Sequence, residues 1–114
     1  MDLEQIVFTI ISHAGNARSN SFEALKYAKD GDFTKAETYI KEAGDELLEA
    51  HHIQTDLIQR EASGDKQDVS LLLMHAEDHL MTAILAKELI TEMIDLYKTL
   101  YEKKEDSFKC LGRA

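Results

Sequence analysis

The chain contains no proline. Proline is the residue that most reliably breaks a helix interior, because it lacks the N–H donor and clashes with the preceding turn. Its absence leaves long stretches free to stay helical. Apolar residues recur at three- and four-residue steps in Leu3, Ile6, Val7, Ile10, Ile11, Ala14, Ala17, Ala24, Leu25 and Ala28, which predicts a helix over residues 3–29. A second stripe runs through Phe33, Ala36, Tyr39, Ile40, Ala43, Leu47, Ala50, Leu57 and Ile58, predicting a helix over residues 33–62. A third helix is predicted from about residue 69 to residue 101. Ala, Leu, Glu and Lys are good helix formers and dominate all three segments.

The breaks carry the expected punctuation. Asp2 suits an N-cap, with Gln5 three residues on completing a capping box. In Asp30-Gly31-Asp32, Gly31 suits a helix C-terminus and Asp32 the next N-cap. Residues 63–68 form the second break. The small polar run Gly15, Asn16, Ser19, Asn20 and Ser21 is a place for a kink or for close backbone approach. Short turns between long helices force an antiparallel up-down-up, all-α three-helix bundle. Such a rod has much surface for its volume, and Leu71, Leu72, Leu73 and Met74 leave little polar surface at the start of the third helix. Both features point to self-association.

Composition narrows the function classes. The 114 residues make one domain, and their formal charge is −9. A surface this acidic repels phosphate backbones and anionic headgroups, so nucleic acid and membrane are not expected partners. No apolar run approaches the roughly 20 residues of a membrane span, and no basic segment precedes the apolar residues of the N-terminus. A lone Cys110 excludes an intrachain disulfide and permits a reducing compartment. The expectation is a soluble, cytoplasmic protein.

The richest chemistry lies in residues 74–82. On a helix His75, Asp78, His79 and Thr82 fall at i, i+3, i+4 and i+7 and form one polar stripe. Polar groups in an apolar helix need partners or a purpose. Spacing alone leaves three readings open: mutual satisfaction through a His–Asp hydrogen bond within a non-catalytic helical adaptor, a metal-binding bundle using His75 and His79, or a reactive histidine. The H-E-x-x-H pattern of zinc proteases does not fit, since Ala76 follows the first histidine. His51 and His52 point about 100° apart and are read as surface or interface residues, and His13 as structural or interfacial. There is no Gly-rich phosphate loop. There is also no nucleophile-elbow motif.

The run VSLLLMHAEDHLMT at residues 69–82 resembles the active-site signature of the lactose/cellobiose-type IIA components of the bacterial sugar phosphotransferase system. EAHHIQTDLIQ at residues 49–59 resembles their second helix and IVFTIISHAGNA at residues 6–17 their first. The resemblance covers about residues 2–100. It implies one three-helix domain over residues 1–101 that assembles as a homotrimer; residues 102–114, which it does not cover, are read from their charge as a flexible tail. It implies a phosphocarrier that takes a phosphoryl group from HPr on His75, at Nε2, and passes it to a cysteine of a IIB component during uptake of a disaccharide of the lactose, cellobiose or chitobiose class. It also implies that Asp78 from three protomers binds one Mg²⁺ on the three-fold axis. The family usually carries Gln where this chain has Glu77. A carboxylate near a phosphohistidine is repulsive, but a residue two positions on points elsewhere on a helix.

These implications are chemically consistent. Neutral imidazole is a nucleophile and predominates at cytoplasmic pH. Phosphoryl transfer asks of the protein mainly position and charge stabilisation. Three carboxylates meeting at an interface would repel one another, and a hard, oxygen-loving cation removes that cost.

Overall fold

In the computed structural model, residues 2–112 are described, with side chains through residue 109. They form α1 (Leu3–Lys29), α2 (Phe33–Ala62) and α3 (Leu71–Gly112), in antiparallel up-down-up order. The first two helices begin and end where the apolar periodicity stops. Asp2 accepts from Gln5 N–H at 2.9 Å while the Gln5 side chain accepts from Asp2 N–H at 3.0 Å, the reciprocal capping box. Asp32 caps α2 by accepting from Lys35 N–H at 3.1 Å. The third helix starts two residues later than its apolar run, because the Ser70 hydroxyl accepts from Leu73 N–H at 3.0 Å and caps the helix there.

Gly31 makes the first turn possible. Its φ is +83°, and a Cβ on it would lie 2.9 Å from Cε1 of Tyr101. Both the backbone conformation and the space therefore call for glycine. The Tyr101 hydroxyl donates to the Lys29 carbonyl at 2.8 Å, so the far end of the bundle is closed by α3 lying over the turn.

Alanine dominates the core and lets the helices approach closely. One cluster gathers Ile6, Val7, Ile10, Ala14, Ala17, Ala43, Leu47, Ala50, Leu57, Ala76, Leu80 and Ala83. A second gathers Ala24, Ala28, Ala36, Ile90 and Ile94. Between them Ser21 is buried and bonds the Ala17 carbonyl at 2.8 Å, so α1 passes the small polar run as one continuous helix. Gly15 has nothing within 4 Å of an added Cβ and is not a point of close approach. α1 packs along both other helices, whereas α2 and α3 meet much less.

The bundle measures 72 × 20 × 20 Å. It is longer than helices ending near Tyr101 would make it, because α3 continues to Gly112. The expected domain limit at residue 101 is thus not a helix end. Residues 102–109 are helical and exposed, whereas residues 113 and 114 of the expected tail lie outside the described residues.

α3 presents three different faces. Ala76, Leu80, Ala83, Ile90 and Ile94 point inward and are buried. On the opposite side Leu71, Met74, Met81, Leu85, Leu89, Met93, Leu96 and Leu100 are exposed in the single chain. At about 100° per residue, all eight lie within about 60° of the direction of Asp78. The excess apolar surface expected at residues 71–74 therefore extends as a stripe along most of α3, and Asp78 is the carboxylate set within it.

Candidate functional site

The histidine face borders that stripe. His75 and His79 lie one turn apart, and their Nε2 atoms approach to 3.1 Å with the rings edge to face at 88°. Two neutral imidazoles form this contact only if one Nε2 carries the proton and the other offers its lone pair. With His79 as donor, His75 is held as the Nδ1–H tautomer with a nucleophilic Nε2. His75 is exposed, so a partner's reactive group can reach it.

An open cleft of about 410 Å³ runs beside the pair. α3 lines it with His75, Asp78, His79, Thr82 and Ala86, and α1 lines it with Arg18 and Phe22. The four residues of the polar stripe are brought together as their spacing predicted. Of the readings that spacing left open, the His–Asp hydrogen bond is not formed within the chain. His75 pairs with His79, and among the described residues no hydrogen bond or ion pair occupies the Asp78 carboxylate. The Thr82 hydroxyl is turned back onto its own helix, donating to the Asp78 carbonyl at 2.8 Å.

The remaining histidines are elsewhere. His13 Nδ1 lies 2.5 Å from Glu46 Oε2, tying α1 to α2, so it is the structural histidine of the set. His51 and His52 are exposed on α2. Glu77 is hydrogen-bonded by Gln54 of α2, so its carboxylate faces away from the histidine cleft. Arg18 and Phe22 were not legible as site residues. Each sits among small polar neighbours on α1, and only the packing of α1 on α3 carries them to the histidines. Cys110 has no described side chain.

The arrangement defines a class: a helical bundle presenting an exposed histidine, paired with a second histidine, in an open cleft beside a cation. Residues 5–98 match the family model described as the lactose/cellobiose-specific IIA subunit of the phosphotransferase system. The chain is 47% identical over 103 residues to the lichenan-specific phosphotransferase enzyme IIA component of Bacillus subtilis, covering 90% of this chain and 94% of that one. The crystal structure of the cellobiose-specific enzyme IIA of Bacillus anthracis superposes with a TM-score of 0.87 at 52% identity, over 90% of this chain and 95% of the other. A solution structure of the Escherichia coli IIA(chitobiose)–HPr complex contains a chain that superposes with a TM-score of 0.78 at 46% identity, over 89% of this chain and 98% of that one. The protein belongs to the lactose/cellobiose-specific IIA family and is a component of a sugar phosphotransferase system. Among the described residues no helix is long and apolar enough to cross a membrane.

Proposed function

We propose that the protein is a cytoplasmic phosphocarrier in which His75 receives a phosphoryl group from phospho-HPr and delivers it to a IIB cysteine, for uptake of a disaccharide of the lactose, cellobiose or chitobiose class. The observation that carries this reading is the exposed His75 Nε2, held 3.1 Å from His79 Nε2 at the edge of an open cleft. In the first transfer His75 Nε2 attacks phosphorus as the nitrogen–phosphorus bond on the HPr histidine breaks. In the second the IIB thiolate attacks, and the electron pair returns to Nε2. The His79 N–H, released from the lone pair, becomes available to a phosphoryl oxygen. The HPr complex of the E. coli relative supports the choice of donor, and the sugar class follows the names of the relatives.

The same reading makes the protein a homotrimer that packs the exposed stripe of α3 around a three-fold axis. Asp78 then falls on the axis. One chain supplies one carboxylate there, and its freedom from any internal partner suits a shared cation. Three such oxygens and water match Mg²⁺, which when bound would offset most of the carboxylates' charge.

Incubation with phosphoenolpyruvate and the general phosphotransferase enzymes should place one acid-labile phosphate on each chain. His75→Ala should fold and remain unlabelled. Full labelling of that variant would overturn the assignment.

A further inference from the structure

The cleft holds a cation that the reaction scheme has not used. We infer that Arg18 is the phosphoryl-binding residue, holding the oxygens of the group carried on His75. This rests on the assignment of His75 as phosphoryl acceptor.

The argument begins with charge. The sequence has 22 acidic side chains against 13 lysines and arginines. Among the described residues Arg18 forms no ion pair, as is true of most of the lysines and of Arg60, but Arg18 alone of these lines the histidine cleft. Asp78 lines the same cleft and does not pair with it. The guanidinium instead lies over the ring of Phe22, whose centroid is 5.9 Å from Cζ. That distance is within cation–π range, which steers the guanidinium over the ring without consuming any of its five N–H donors.

The phosphoryl group then supplies the missing partner. On His75 it brings close to two negative charges into a protein of formal charge −9. The other lining groups cannot offset them. Thr82 donates to a main-chain carbonyl, His79 lies against His75 through its ring nitrogen, and Asp78 is itself acidic. Among the described lining residues Arg18 is the cation. Its planar fork matches two phosphoryl oxygens at once, which a lysine ammonium cannot do. Its position also has a directional consequence. Arg18 belongs to α1 and His75 to α3, so the phosphoryl group would bridge the two helices at the mouth of the cleft. Arg18 makes and breaks no bond. It weights the equilibrium toward the phosphorylated carrier.

The test uses the full-length chain with phospho-HPr. Arg18→Gln should shift the phosphoryl equilibrium toward HPr by about 10- to 100-fold, the range for a charge-assisted hydrogen bond. It should also move the ³¹P resonance of the phosphohistidine. Arg18→Lys should give an intermediate shift, keeping charge but losing the fork. Far-UV circular dichroism should be the same for all three proteins. An unchanged equilibrium in Arg18→Gln would overturn the inference. So would a changed equilibrium with an unchanged ³¹P resonance, because the residue would then act through the protein instead of on the phosphoryl group. Labelling of His75→Ala identifies the separate case in which the acceptor itself is wrong.

Discussion

Leu89→Asp probes the association proposed for α3. Leu89 lies in the middle of the outward stripe, 51% exposed in the single chain. Completing the burial of half a leucine side chain stabilises by about 1 kcal/mol, half of the ~1.5–3 kcal/mol of full burial. A trimer contains three copies, so the apolar loss alone is about 3 kcal/mol, or roughly 100-fold in the association constant. Three carboxylates brought together in a partly dry interface add several kcal/mol more. The variant should therefore be monomeric at micromolar concentration where the unaltered protein is trimeric. The single-chain fold should persist, because the side chain faces away from both core clusters. Leu89 also lies beyond Ala86, the last cleft residue along α3, so the histidine site stays complete. Sedimentation equilibrium measures the association, and far-UV circular dichroism at low temperature checks the helices. A Leu89→Asp protein that associates like the unaltered one would refute the packing of this stripe. An unaltered protein found monomeric at micromolar concentration would refute the trimer.

Two further outcomes follow from the same geometry. If the proposed trimer holds its cation on Asp78, chelation should weaken association of the wild-type protein at neutral pH by several kcal/mol, because three Asp78 carboxylates would then face one another. Asp78→Leu should associate more tightly and ignore chelator, and sedimentation with and without chelator compares the two proteins. Gly31→Ala should destabilise the fold by roughly 1–2 kcal/mol from the left-handed backbone alone, with more from displacing the Tyr101 ring that lies 2.9 Å from the new Cβ. Urea unfolding measures that loss, and a midpoint equal to wild type would contradict the account of the turn.

The histidine stripe is legible in the amino-acid sequence, and the partners of its members are not. The i, i+3, i+4 and i+7 spacing of His75, Asp78, His79 and Thr82 depends only on the geometry of one helix. Which members meet depends on rotamers and on what else crowds the face. The His–Asp bond that spacing allowed is not formed, and His75 instead meets His79 at 3.1 Å, since one turn of helix places those two rings edge to face. Glu77 is a similar case. Its spacing indicated that it points away from His75, and only α2 could supply Gln54 as its partner.

Local chemistry by itself determined the limits of α1 and α2, the caps at Asp2 and Asp32, the turn at Gly31 and the up-down-up order. These are short-range consequences of capping, backbone conformation and 3.6-residue periodicity, although at Gly31 the Tyr101 ring of α3 adds a second requirement for glycine. The third helix shows where that reasoning stops. Past Tyr101 its apolar residues thin out, yet the backbone remains helical to Gly112. Only the tertiary structure decided the rotation of each helix about its own axis. That rotation buries Leu80, turns Leu89 outward, brings His13 to Glu46 and carries Arg18 on α1 to the histidines on α3. The reason is that a helix with apolar residues on more than one face has several faces it could bury. The choice among them is made when Ala14 and Ala17 of α1, Ala43 and Ala50 of α2 and Ala76 and Ala83 of α3 let the three backbones close together.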